Sequence, residues 1–389
     1  MSDTLTRTKQ ILADLVAFPS ISADGNLAIT EHLATLLEAA GARLWFEPDA
    51  TGAKLNLFAT IGPDLPGGVV LSGHTDVVPV EGQPWTTDPF TMVERDGRLY
   101  GRGTCDMKGF VAACVAMAPV FAARDLKVPV HFAFTYDEEV GCLGAQVLTA
   151  TLAARGITPA AGIIGEPSMM QPVEGHKGCF EYTTRFTGLE GHGSSPDLGV
   201  NAVQYAARMV NRLCELRAQL KDRTPTDSDF IPPHTTINIG VLAGGVAHNV
   251  IPGTARLEWE MRPVQPEDAT FVKAELAALQ ADMLAEMHAV YPAASIETET
   301  IAEVVGLTPD PASAATRLVM ELTGANRAGL VPFGTEAGLF QQIGIPSVIC
   351  GPGDIAQAHK PDEFLALDQL AACLAMLDRL ADRMERGAV

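Results

Sequence analysis

Apolar residues along this chain follow two rhythms. Short unbroken runs rich in β-branched residues, "GGVVLSGHTD", "VPVHFAFTYDEE" and "AGIIGEP", alternate with Ala/Leu-rich helical stretches such as "FVAACVAMAPVFAA". Strands apolar on both sides, with helices between them, predict an α/β domain built on a mainly parallel sheet with helices on both faces. Near Cys179 the rhythm changes: "CFEYTTRFTG" and "HTTINIGVLAGG" alternate apolar and polar positions, as half-exposed antiparallel strands do. With "NAVQYAARMVNRLCELRAQL" and "DATFVKAELAALQADMLAEM" as helices and "TARLEWEMRP" as a further strand, they predict an inserted α+β domain over 179–292. The first domain then comprises 1–178 and 293–389, and "PSVICGPG" is the buried strand on which it resumes.

The length of 389 residues with 47% hydrophobic content supplies cores for two or three domains. A formal net charge of −20 excludes a nucleic-acid partner, because phosphate recognition needs clustered Lys and Arg. No apolar run reaches the roughly 18 residues of a membrane span, and "MSDTLTRTKQILADLVAFPS" reads as an amphipathic helix and not as a signal peptide. The expected location is the cytoplasm. Seven scattered cysteines with no C-x-x-C pair fit that setting as reduced residues, and give no disulfide or thiolate-zinc framework.

Candidate chemistry collects at the strand ends. "VVLSGHTD" delivers His74 and Asp76, "VHFAFTYDEE" delivers Glu138 and Glu139, "GIIGEP" delivers Glu166, and "SVICGPGDIAQAH" leads to His359. Asp106 in "GRGTCDMKGF" opens the helix beginning near Met107. Each has an ordinary alternative: a helix N-cap for Asp106, a loop histidine for His359, a turn residue for Glu166, a core histidine for His74. Together they favour one shared site, because ligands in open α/β sheets bind outside the carboxyl ends of the strands. Two imidazoles with several carboxylates suit borderline divalent ions such as Zn²⁺ or Co²⁺, and are too many for one tetrahedral ion but enough for two.

Other motifs fail. "GRGTCD" has aspartate where a dinucleotide fingerprint needs glycine, "GPGDIA" carries Pro352 in its turn, and "GHGSSPDLG" contains no G-x-S-x-G elbow.

The segments "SGHTDVVP", "GRGTCDMKG", "DEE", "IIGEP", "GHGSSP", "NVIPG" and "GPGDIAQAHKPDEF" resemble, in order and over essentially the whole chain, the M20 family of dinuclear metallo-amidohydrolases and peptidases. The resemblance implies that Asp106 bridges two ions, Zn²⁺ or Co²⁺, with His74 and Glu166 on one and Glu139 and His359 on the other. Asp76 would orient His74, Glu138 would be the general base, and His192 would hold the oxyanion from a partner subunit. Arg262 and Asn249 would hold a substrate carboxylate, and Glu336 a substrate ammonium unless it is an exposed loop residue. Gly193 departs from the family's commoner "GHSS". The inserted domain would be a ferredoxin-like lid and dimerisation domain of a homodimer. "EPSMMQPVEGHKG" and the last motif tilt the expected substrate toward N²-acetyl-L-ornithine. The alternatives are a succinyl-diaminopimelate, another N-acyl amino acid, or a non-catalytic binding protein.

Overall fold

A computed structural model describes residues 2–388 of the chain. It divides into two compact units, one of residues 2–175, 309–330 and 335–388, the other of His176–Thr308 with Val331–Gly334.

The first unit is built on an eight-stranded sheet. Its middle four strands, in the order Val130–Thr135, Val69–His74, Ala161–Pro167 and Ser347–Gly351, are parallel. Leu55–Ile61 and Arg43–Pro48 extend one edge in antiparallel fashion, and Val173–His176 and Gly329–Val331 lie at the other. Every residue of the middle four is buried, as continuous apolar runs require when helices cover both faces. Leu71, Phe132, Phe134 and Val348 face a core shared with the helices Ser2–Val16, Lys108–Ala122 and Leu367–Glu385. The helices Leu143–Arg155 and Ala337–Gln342 pack against neighbouring strands of the sheet. Lys108–Ala122 is apolar around almost its whole circumference and lined with alanines, which suits a helix enclosed by sheet and other helices. Among the described residues, no helix is long and apolar enough to cross a membrane.

The second unit carries a four-stranded antiparallel sheet ordered Thr236–Gly244, Thr254–Arg262, Cys179–Thr187, Ser295–Val304. With its two long helices, Ala202–Asp222 and Pro266–Val290, this is the βαββαβ arrangement of a ferredoxin-like fold. Ala255, Leu257, Trp259 and Met261 alternate into the core, where Met209, Leu213, Leu216 and Leu220 meet them at helical spacing. Asn201 caps the first helix by accepting the Gln204 N–H at 3.1 Å. The unit runs past the expected boundary at 292, because Ser295–Val304 pairs with Cys179–Thr187 and carries it to Thr308.

Candidate metal centre

The four parallel strands end on one side of the sheet, and the candidate ligands lie at these ends or in the segments that follow them. His74 is the last residue of its strand and lies in register with Thr135, just before Asp137, Glu138 and Glu139. Glu166 is the last residue but one of the next strand, Ala161–Pro167, and Ser347–Gly351 leads through a short 3₁₀ turn to His359. Asp106 does not cap a helix. Met107 holds the cap position of Lys108–Ala122, and the buried Asp106 carboxylate is left to face the histidines. The Asp106–Met107 peptide is cis.

Asp106 lies between the two imidazoles. Its Oδ1 is 3.1 Å from His74 Nε2 and its Oδ2 is 3.4 Å from His359 Nε2. Beyond it, His74 Nε2 lies 3.8 Å from Glu166 Oε1, and His359 Nε2 lies 2.9 Å from Glu139 Oε2. His74 Nδ1 is 2.9 Å from the Asp76 carbonyl, which accepts its proton and leaves Nε2 bare in the neutral ring. A bare nitrogen facing carboxylate oxygens is repulsive unless a proton or a cation stands between them.

Two observations support a fit of this donor set to metal ions. Ligand atoms of His74, Asp106 and Glu139, and of His74, Glu138 and Glu166, lie within 4.8 Å of one another. Glu166 Oε1 is also buried with no hydrogen-bond partner, an arrangement that normally costs stability.

The protonation pattern of the metal-free site agrees. Burial, then repulsion from Asp106, pushes Glu139 up to about 7. Burial likewise holds Glu138 and Glu166 well above the usual carboxylate range. Hydrogen bonds to Asp106 and Glu139 raise His359 to about 10. Burial pulls His74 down, but Asp106 and the surrounding carboxylates outweigh it and leave the imidazole well above its ordinary value. The centre keeps protons that divalent ions would displace.

Several supporting residues were not legible as such in the sequence. Glu363, 1% exposed, accepts the N–H groups of Gly103, Cys105 and Asp106 at 3.0, 2.8 and 3.1 Å, and pairs with the buried Arg102 at 2.8 Å. It thereby fixes the loop that presents Asp106. Pairing of Phe364 with Tyr100 brings the two segments together. Gly103 adopts a positive φ of 81°, and a Cβ there would meet Val77 Cγ1 at 2.8 Å.

Asp76 orients His74 through its backbone carbonyl and not through its side chain, which lies 3.6 Å away. The carboxylate instead accepts the N–H groups of Glu138 at 3.1 Å and Glu139 at 3.3 Å. Glu336 is not an exposed loop residue. It is 1% exposed and accepts hydrogen bonds from the Ser72 hydroxyl at 3.1 Å and from Thr135. A carboxylate sealed in this way has no opening to a substrate ammonium, so its place in the fold is beneath the strand ends.

The remaining candidates lie in the second unit. His192 is exposed and pairs in register with Val250; its Nδ1 lies 2.7 Å from Ser194 Oγ and accepts the Ser194 N–H at 3.2 Å, so the neutral ring carries its proton on Nε2. Gly193 donates to the Asn249 carbonyl at 2.8 Å, and a Cβ at Gly193 would meet that backbone at 2.8–3.0 Å. This close approach accounts for the extra glycine and sets Asn249 beside His192. Arg262 is held by Glu260 at 2.6 Å and ends a strand that starts at Thr254, close to the Val250–Ile251 segment. At about 3.4 Å per residue the two ends of that strand are roughly 27 Å apart. One copy of the chain therefore does not bring Arg262 and Asn249 together.

Sheet, strand-end site and inserted unit define a class. The chain belongs to peptidase family M20/M25/M40, whose model matches residues 70–383. Curated relatives include the acetylornithine deacetylase of Myxococcus xanthus, 37% identical over 97% of this chain and 98% of the relative. That of Proteus mirabilis is 36% identical over 92% and 91%. Among solved structures, an M20-family metallo-carboxypeptidase from Sulfolobus solfataricus superposes with a TM-score of 0.77 at 17% identity, covering 97% of this chain and 99% of the other. A tripeptidase from Staphylococcus aureus superposes with a TM-score of 0.75 at 22% identity, covering 98% and 99%.

Proposed function

We propose that this protein is a two-metal amide hydrolase that converts N²-acetyl-L-ornithine and water to L-ornithine and acetate, a step of arginine biosynthesis. The observation that carries the substrate is the 36–37% identity to acetylornithine deacetylases over more than nine-tenths of both chains. The observation that supports the chemistry is the placement of Asp106 between two histidine–glutamate pairs.

His74 and Glu166 would hold one ion, His359 and Glu139 the other, and Asp106 one oxygen on each. Two imidazoles in the set favour Zn²⁺ or Co²⁺ over the all-oxygen ions. When bound, such a pair supplies a water acidified to near neutrality and positive charge for the amide oxygen. Glu138, whose proton affinity is raised by burial, takes the proton of the attacking water and returns it to the departing amine nitrogen. His192 donates its Nε2 proton to the negative charge developing on the carbonyl oxygen. Arg262 and Asn249 hold the substrate carboxylate, a suitable partner for a guanidinium fork. Because Arg262 ends the strand whose far end, Thr254, follows the turn that holds Asn249, their joint use needs two copies of the chain, which supports a homodimer with His192 acting in the partner's site. The seven unpaired cysteines support a cytoplasmic setting.

The test is amine release by the Zn²⁺- or Co²⁺-loaded protein, with N²-acetyl-L-ornithine, N-succinyl-diaminopimelate and N-acetyl-methionine at equal concentration. Preference for acetylornithine, abolished by a chelator, is the expected result. Preference for another substrate would move the assignment within the family, and no turnover would favour a binding protein. Glu138→Gln should lower kcat by about 10²–10⁴-fold while metal content stays at the wild-type level; an unaltered rate would remove Glu138 from the mechanism.

A further inference from the structure

Asp76, Asp137, Glu138 and Glu139 bring four carboxylates to one turn, and only Glu138 and Glu139 have a part in the chemistry above. The other two are anchored. Lys54 places its ammonium 2.6 and 2.5 Å from the two oxygens of Asp137 and 2.6 Å from the Ser22 carbonyl, so all three of its donors are used. The two charged side chains of this pair are 17% and 9% exposed. Asp76 accepts the N–H groups of Glu138 and Glu139, as described, and also the Ser22 hydroxyl at 2.7 Å. Ser22 therefore serves both anchors, its hydroxyl on Asp76 and its carbonyl on Lys54. The connections close on themselves, from Ser22 to Asp76, to the glutamate backbone, to Asp137, to Lys54 and back to Ser22.

The turn itself is tight. Asp137 has a φ of 54°, in the left-handed region that aspartate tolerates better than most residues. The N–H groups of Gly141 and Cys142 fall on the Glu138 carbonyl at 3.0 and 2.9 Å.

We propose that Ser22, Lys54, Asp76 and Asp137 form a closed clamp that fixes the position of the Glu138–Glu139 pair, with Lys54 as its positioning residue. The proposal rests on the two-metal hydrolase reading. By neutralising Asp137, Lys54 removes one negative charge from a crowded turn and leaves the charge of the two glutamates for the ions and the proton. By tying that turn to Ser22, it holds the base and a ligand to within the fraction of an ångström that proton transfer and coordination demand.

The test uses full-length Lys54→Met loaded with Co²⁺. The expected result is wild-type cobalt content, altered visible absorption bands, kcat lowered about 10–100-fold and KM within about twofold of wild type. Lys54→Met/Asp137→Asn removes the stranded charge, and should recover the thermal midpoint without recovering kcat; Lys54→Arg should recover part of kcat. Wild-type kcat and spectrum in Lys54→Met would overturn the clamp. Full recovery of kcat in the double variant would also overturn it, since charge balance alone would then be the role of Lys54. If the wild type turns over none of the three substrates, the hydrolase reading fails separately. The spectrum still decides the clamp in that case, and an unchanged spectrum in Lys54→Met overturns it.

Discussion

At the scale of single residues, the centre depends on side chains that touch neither ion nor substrate in the proposed reading. Glu363 gathers three backbone N–H groups and the Arg102 guanidinium, all buried. Replacing Glu363 with Gln keeps its shape but removes the charge that balances Arg102 and turns one acceptor into a donor facing N–H groups. The expected outcome is a 10–100-fold loss of metal affinity, measured as metal retained after dialysis against a weak chelator. His74, Glu139 and Glu166 were legible as candidates in the sequence because polar residues at the ends of apolar runs stand out, and Asp106 and His359 because a helix start and a loop from the last strand brought them in. Glu363, Lys54 and Ser22 were not, because their partners are backbone groups or residues far along the chain. In the sequence each is an ordinary polar residue beside a turn. Asp76 and Glu336 were singled out by resemblance for roles that their side-chain contacts do not match, since a resemblance carries over a position but not which atom makes the bond.

At the scale of elements, the helix Lys108–Ala122 shows why the strand-end geometry holds. Its alanines let it lie close to the sheet, and Ala113 is fully buried among larger neighbours. Ala113→Leu should overpack this layer and cost about 1–3 kcal/mol, read as a lower urea midpoint with an unchanged m-value. Periodicity reported this helix and the four parallel strands well, because each buries a continuous apolar surface. It failed at Ser295–Val304, "SIETETIAEV", an edge strand whose middle five positions are all exposed. With so little apolar alternation, that segment gave no strand signal, and the inserted domain was ended too early.

At the scale of the whole molecule, pH and metal act in opposite directions. In the metal-free protein His359 holds its proton up to about pH 10, against 6.5 for an ordinary histidine, and Glu139 holds one up to about 7, against 4.5. Both folded values are raised, so the folded state binds more protons than the unfolded chain. The stability from His359 is complete below about 6.5 and is lost through about 10; that from Glu139 is complete below about 4.5 and is lost through about 7. Metal binding expels these protons, so affinity rises with pH by up to about tenfold per unit for each proton displaced. Thermal midpoints with EDTA and with Zn²⁺ should therefore diverge as pH rises from about 5.5 to 9, and a constant gap would count against this site. The same centre also has an order of assembly. Its proposed ligands run from His74 to His359, and Glu363, which fixes the Asp106 loop, lies later still. On the ribosome, most of the inserted unit emerges as one uninterrupted segment and has the means to fold early, whereas in the proposed reading a nascent chain cannot hold both ions until His359 is released. In that reading metal loading is a late event in the life of each molecule, and a chain stalled before His359 carries a folded insert but an incomplete centre.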